Sequence, residues 1–198
     1  VNIVILKERN FDKMNILVTG AAGYIGSVLV PVLLKKGYKV IAVDSFIYNQ
    51  TSLTDCCYDE NLTIIRGDAR DKNLISKYLR NVDAIFPLAC LTGAPICSVK
   101  PIEATTTNLD AIKLLLKLRS KNQVIIFPTT NSGYGIGQKG KFCDERTPLN
   151  PISLYGKLKV EAENAILNSG NSITLRLATV FGVSPRMRLD LLVNDFTY

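Results

Sequence analysis

Tyr155 and Lys159 stand four residues apart in the run Tyr155-Gly156-Lys157-Leu158-Lys159. On an α-helix, side chains at i and i+4 share a face, so this spacing sets a phenol beside an ammonium. A neighbouring cation favours the phenolate and draws the pKa down from its ordinary value of about 10, which makes a general base. The same spacing also arises as a plain surface pair. The 198-residue chain contains no histidine. Ser-His-Asp triads, Cys-His dyads and HExxH zinc sites are therefore excluded, and acid–base work falls to Tyr, Lys, Asp, Glu or Cys. Upstream, Phe127-Pro128-Thr129-Thr130 sets hydroxyls at the end of an apolar run, a position that doubly wound folds use for ligands and that simple loops also occupy.

A second constellation is Thr19-Gly20-Ala21-Ala22-Gly23-Tyr24-Ile25-Gly26. Gly20 suits a tight turn, Gly23 lets backbone approach a pyrophosphate, and Gly26 permits close helix–strand packing, with phosphates at the helix N-terminus. Asp44 follows roughly 20 residues on, at the end of the next apolar run, where a carboxylate accepts both hydroxyls of an adenosine ribose. It would repel a 2′-phosphate, and no arginine adjoins it in sequence, so the pattern favours NAD over NADP. Asp68, after a third apolar run, lies where adenine would sit; a helix N-cap is the competing role.

These residues need a frame of strands and helices. From Met14 onward short β-branched runs alternate with helical stretches, the mark of an α/β chain. Strands are expected at Asn15 to Val18, Lys39 to Val43, Leu62 to Ile65, Ala84 to Pro87, Val124 to Phe127 and Ile173 to Leu177. Helices are expected at Tyr24 to Lys36, with Pro31 as a kink or break, at Lys72 to Arg80, Ile102 to Arg119 and Ser153 to Asn168. Glu161 and Glu163 fall on the wet face of the last of these. Met187 to Tyr198 reads as a helix cut off as it begins. Such alternation closes into a doubly wound parallel sheet of Rossmann type. Residues 1–13 read as an N-terminal extension and 14–178 as the dinucleotide-binding domain.

Lys and Arg number 24 against 17 Asp and Glu, a formal charge of +7. The basic residues are scattered without a stripe or stacking aromatics, which argues against nucleic-acid binding. Five cysteines, Cys56, Cys57, Cys90, Cys97 and Cys143, form no CxxC pair, so neither a disulfide framework nor a metal site is expected. No apolar run approaches the ~20 residues of a membrane span. A cytoplasmic protein with no membrane partner fits this composition.

Taken together, the glycine turn, Asp44, Asp68, Leu88-Ala89-Cys90, Asn108, Thr130 and Tyr155-x-x-x-Lys159 resemble the extended short-chain dehydrogenase/reductases. More narrowly they resemble the NAD-dependent epimerase/dehydratase family that acts on nucleotide sugars. The resemblance implies that Gly20, Gly23 and Gly26 hold the pyrophosphate, with Tyr24 and Ile25 opening the helix that caps it. It implies Asp44 on the ribose, Asp68-Ala69 at the adenine edge and Leu88-Ala89-Cys90 along the cofactor. Cys90 stands where alanine is usual; with no cation beside it in sequence, packing is expected there, not thiol chemistry. Asn108 would support the site by bonding backbone. Thr130, Tyr155 and Lys159 would be catalytic, Tyr155 as acid and base, Thr130 bonding the reacting sugar oxygen, and Lys159 lowering the phenol pKa and bonding the nicotinamide ribose.

The family's dehydratases carry an Asp-Glu pair after the catalytic hydroxyl, where this chain has Asn131 and Ser132. Its fucose-synthase branch needs a histidine. An epimerase is therefore expected first, then a ketoreductase or dehydrogenase, then a dehydratase; the non-enzymatic rival is a dinucleotide sensor on the same fold. By the same resemblance Thr179, Arg186, Arg188 and Asn194 would meet a nucleotide-sugar substrate, the two arginines suiting a diphosphate or forming only a solvated basic turn. Residues 179–198 would open a truncated substrate lobe, in a protein that forms homodimers.

Overall fold

A computed structural model describes residues 14–137, 140 and 142–197. The extension proposed at 1–13 lies outside the described residues. Six strands alternate with helices: β1 (Asn15–Thr19), α1 (Gly26–Lys35), β2 (Lys39–Asp44), β3 (Leu62–Arg66), α2 (Lys72–Leu79) and β4 (Ala84–Pro87) make the first half. The second half runs α3 (Ala94–Val99), α4 (Pro101–Thr105), α5 (Ala111–Leu118), β5 (Val124–Thr130), α6 (Leu154–Asn168), β6 (Ser172–Leu177) and α7 (Leu192–Thr197). All the strands are parallel, in the order β3-β2-β1-β4-β5-β6. The expected doubly wound sheet is thus present. Its connections reverse direction between β1 and β4, and the carboxyl ends of strands at such a point frame a crevice.

Alternation along each strand divides the core in two. Leu17, Val43, Ile85, Ile125 and Phe127 pack with α2, α5 and α6. Ile16, Val18, Val40 and Ala42 face the other way, onto Val30, Leu33 and Leu34 of α1. Side chains on a strand point alternately to opposite faces, so β-branched runs buried on both sides are what a central parallel strand requires.

Four expectations about elements are corrected. Pro31 does not break α1, which continues from Gly26 to Lys35 through it. The helix expected over Ile102 to Arg119 is interrupted by a π-turn at Thr106–Asp110. Such single wide turns are frequent at functional sites, and this one turns Asn108 inward. Glu163 is not on a wet face. It is 1% exposed, and its Oε1 accepts from Arg176 Nε at 2.8 Å. Charge patterning cannot reveal this, because the partner comes from β6. The terminal helix is shorter than the run from Met187, covering Leu192–Thr197. Among the described residues no helix is long and apolar enough to cross a membrane, and no three Cys, Asp or Glu gather as a metal site.

Candidate active site

The glycine turn joins β1 to α1 at the switch point. Gly20 has φ +68, and a Cβ there would lie 2.6 Å from the backbone nitrogen of Ala89. Only glycine lets the turn lie flat against the segment after β4. Gly26 is equally constrained, since its Cβ would meet the Gly20 and Ala21 carbonyl oxygens at 2.5 Å. No side chain caps α1, and no acidic residue occupies its first turn. Its N–H groups thus keep the partial positive charge that favours an anion. Gly23 N–H bonds Gly20 O within the turn.

Asp44, buried at the end of β2, ties the neighbouring segments together. Its Oδ2 accepts from Ala22 N in the glycine turn at 2.9 Å, and its Oδ1 accepts from Phe46 N at 2.8 Å and Gln50 Nε2 at 3.2 Å. The sequence around Asp44 holds no arginine, but the sheet register sets Arg66 directly across from it. Arg66 is exposed and makes no ion pair with Asp44. At the end of β3, Asp68 pairs with Arg70 at 2.6 Å, and Arg70 reaches Thr106 of the π-turn at 3.0 Å. Arg70 holds the Asp68 carboxyl below the usual carboxylate range. The N-cap of α2 is Asp71, which removes the competing role for Asp68. Ala69 lies half-buried beside it.

Past β4, Leu88 N and Ala89 N bond the Thr19 carbonyl and hydroxyl at 2.9 and 3.4 Å. Asn108 then fixes Leu91 twice: its Oδ1 accepts from Leu91 N at 2.8 Å and its Nδ2 donates to Leu91 O at 2.9 Å. The Cys90 and Cys97 thiols share that same carbonyl. Burial raises the Cys90 thiol pKa, although Lys159 and Arg188 both pull the other way. The expectation of packing there agrees with the raised thiol, while its stated reason does not hold, since cations do approach Cys90 in space.

On the other side of the crevice β5 ends at Thr130, whose hydroxyl accepts from Ser132 N at 3.1 Å and caps the following turn. β5 pairs with β4 only at Val124 and Ile125. Beyond them Pro128 has no N–H to offer, and its carbonyl is met by Lys159 Nζ at 2.7 Å. The Lys159 ammonium lies 3.9 Å from the centroid of the Phe127 ring, and burial lowers its pKa.

Tyr155 reverses the electrostatic expectation. Burial, assisted by the Cys90 and Cys97 thiols, pushes its phenol well above the ordinary value. The Thr130 side chain and the charge of Arg188 pull the other way. Desolvation of the buried phenolate outweighs both. The i, i+4 spacing puts Tyr155 and Lys159 on one face; it could not say where the ammonium points.

The segment after β6 folds back onto α1. Tyr24 Oη donates to Gly182 O at 2.7 Å, and Ser184 Oγ donates to Tyr24 O at 2.8 Å and lies 3.0 Å from Ser27 Oγ. Ile25 stays exposed beside them. Thr179 is exposed. Asn194 is 2% exposed, and its amide is used within the protein: Oδ1 accepts from Gly182 N, and Nδ2 donates to Tyr24 Oη and Arg188 O. Arg186 stacks over the Tyr48 ring, 4.7 Å to its centroid, and Arg188 pairs with Asp190 while acting electrostatically on Tyr155 and Tyr48. Gln50, Arg66 and α3 with its Cys97 escaped sequence reasoning. Arg66 matters through a neighbour on another strand, while Gln50 and Cys97 act through residues six positions away whose loop conformation no sequence pattern marks.

Comparison with known proteins agrees with this geometry. A UDP-glucose 4-epimerase of Lactobacillus helveticus is 32% identical over 154 residues, which cover 76% of this chain and 45% of that protein. A UDP-N-acetyl-alpha-D-glucosaminuronate decarboxylase of Bacillus cytotoxicus is 36% identical over 131 residues, 63% of this chain and 39% of that protein. The chain thus spans less than half the length of either relative. Among solved structures, UDP-glucuronic acid 4-epimerase from Bacillus cereus, in complex with UDP-glucuronic acid and NAD, superposes with a TM-score of 0.80 at 29% identity. That alignment covers 91% of this chain and 61% of the other. The profile of the NAD dependent epimerase/dehydratase family matches residues 16–196, nearly all that the structure describes, and the chain belongs to that family.

Proposed function

We propose that this chain carries the cofactor-binding and proton-transfer residues of an NAD-dependent nucleotide-sugar epimerase. The observation that carries the reading is the buried Lys159, which shares a face of α6 with Tyr155 and is held by Pro128 O at 2.7 Å near the end of β5, the strand that Thr130 closes on the same sheet edge as the glycine turn. The residues around that turn fit NAD. The first turn of α1 is uncapped, and one acceptor position on Asp44 remains open for a ribose hydroxyl. In this reading Gly20, Gly23 and Gly26 hold the pyrophosphate, Asp44 the adenosine ribose and Asp68 the adenine edge.

The chemistry that bound NAD supplies is reversible hydride acceptance at a sugar carbon, and epimerisation is its return to the opposite face. The chain's own residues handle the proton. Thr130 bonds the sugar hydroxyl, and ionised Tyr155 takes its proton and later gives it back. The raised phenol pKa means that Tyr155 in this chain holds its proton firmly. A cationic nicotinamide close by would favour the phenolate, so the base is generated only with oxidised cofactor in place. Lys159, fixed by Pro128 O, is set to meet the nicotinamide ribose. Asn131 and Ser132 put no carboxylate next to Thr130, which disfavours elimination of water.

The test incubates the protein with NAD and, in turn, UDP-, GDP-, CDP- and dTDP-sugars, with products followed by NMR. An epimer formed without net NADH supports the reading. Stoichiometric NADH would replace it with a dehydrogenase, loss of water with a dehydratase, and loss of carbon dioxide with a decarboxylase. NAD binding with no turnover of any sugar would favour the dinucleotide sensor.

A further inference from the structure

We propose that Gln50 is a specificity and gating residue for the adenosine ribose, its amide standing on Asp44 where a ribose hydroxyl must bind. The inference rests on the reading of Asp44 as the ribose acceptor. An ionised carboxylate offers about four lone-pair positions. Three are taken, by Ala22 N, Phe46 N and Gln50 Nε2. One position remains, and the vicinal ribose diol needs two.

One of the three donors must therefore leave. Ala22 N belongs to the glycine turn at a residue with no exposed surface. Phe46 N belongs to backbone held at φ 52, a conformation the carboxylate bond itself helps to fix. Gln50 alone donates through a rotatable side chain. Its bond to Asp44, at 3.2 Å, is the longest of the three, and its other anchor, from Tyr48 N to Oε1, is also 3.2 Å. Both lie at the far end of the hydrogen-bond range. Gln50 is half-buried, so rotation carries its amide into water, where it loses no partner.

Gln50 thus acts as an internal competitor. It satisfies Asp44 when no ribose is bound and lowers the apparent affinity by the fraction of molecules in which it is closed. A ligand with the full diol displaces it, while one that offers a single hydroxyl gains little from doing so. The loop that carries the gate also carries Tyr48, over whose ring Arg186 stacks.

Calorimetric titration of the protein with NAD and with ADP-ribose, for wild type, Gln50→Ala, Gln50→Met and Asp44→Ala, tests this. Both Gln50 variants are expected to bind both ligands about three- to tenfold more tightly, the loss of one competing charge-assisted bond. Gln50→Met keeps the side-chain volume and guards against a packing effect in the alanine variant. Unchanged or weaker binding by both variants, or a gain for NAD that ADP-ribose does not share, would overturn the gate. Asp44→Ala separates the two layers of inference. If it weakens NAD binding while the Gln50 variants change nothing, only the gate fails; if it leaves NAD binding intact, the ribose assignment falls and the gate with it.

Discussion

The two walls of the crevice are built on different principles. The glycine-turn wall is made of backbone: Gly20 at positive φ, an uncapped helix end, and a carboxylate that bonds main-chain amides. The Tyr155 wall is made of side chains from four places in the sequence, Cys90, Thr130, Lys159 and Arg188, and burial, modified by their charges, sets the ionisation of its groups. Sterics fix the first wall, within the turn at Gly26 and against the Ala89 backbone at Gly20, so it holds its shape without a balance of charges. The second wall depends on burial and on where charges point, and its chemistry is tunable for that reason.

The comparison is broken most sharply at Tyr155. Tyr155→Phe removes the proton acceptor but no element of the first wall. Turnover is expected to fall by about 10²–10⁴, the usual range for a lost general acid–base group. NAD affinity should stay within about tenfold by calorimetry, since one hydrogen bond at most is lost there. Because the phenol is raised by burial, its ionisation in the protein alone should begin only above the range of free tyrosine, and NAD should bring it down. The difference in ultraviolet absorbance between wild type and Tyr155→Phe, titrated with and without NAD, reads this directly; titration at the free-tyrosine value would contradict it.

Glu163→Gln probes how the second wall is held. It leaves Arg176, 18% exposed and also bonded to Tyr134 Oη and Glu145 O, without its buried counter-ion. A stability loss of about 2–3 kcal/mol is expected in urea unfolding, below the full cost of a wholly buried pair. Glu163 also raises the Lys159 pKa against the lowering by burial, so its loss should move the high-pH limb of activity to lower pH. An alanine at Gly20 tests the other wall by sterics alone. Positive φ costs an L-residue ~1–2 kcal/mol before the approach to Ala89 is counted, and about 2 kcal/mol of destabilisation with weakened NAD binding is expected. If Gly20→Ala retained wild-type stability, the close-approach account of this wall would be wrong.

Asp68→Asn carries the smallest effect. Arg70 lowers the Asp68 pKa, so the pair stabilises the fold above the ordinary carboxylate pKa and ceases to do so as pH falls through the folded-state value. The site is 41% exposed, and solvent screening keeps the contribution within about 1 kcal/mol. Wild type should exceed the variant slightly at neutral pH, and the two unfolding curves should merge in acid. A difference that grew toward acid would reverse the sign of the argument.

The sheet, its strand positions and the glycine turn were legible because each depends on residues within a few positions of one another. β-branched runs make strands, and Gly20 and Gly26 mark places where a Cβ cannot fit. The Tyr155–Lys159 pairing was legible as a shared helical face, and Asn108 as a backbone-bonding residue came from the family resemblance. What misled was electrostatic. Glu163 looked like a solvated charge until β6 brought Arg176 to it, and the Tyr155 phenol looked open to lowering by a neighbouring cation until burial outweighed any such effect. Asp44 looked free of arginine until the register set Arg66 across from it.

By itself, then, the sequence determined the parallel α/β frame, the conformation of the glycine turn and the residue types available for proton transfer, because sterics and hydrophobic periodicity act over short stretches of chain. Tertiary structure alone decided which charges are buried, which donors already occupy Asp44, and that the Tyr155 pKa rises where helical spacing forecast a fall. The reason is physical: a charge in a protein responds to every group within several ångströms, and folding, not sequence order, chooses those neighbours.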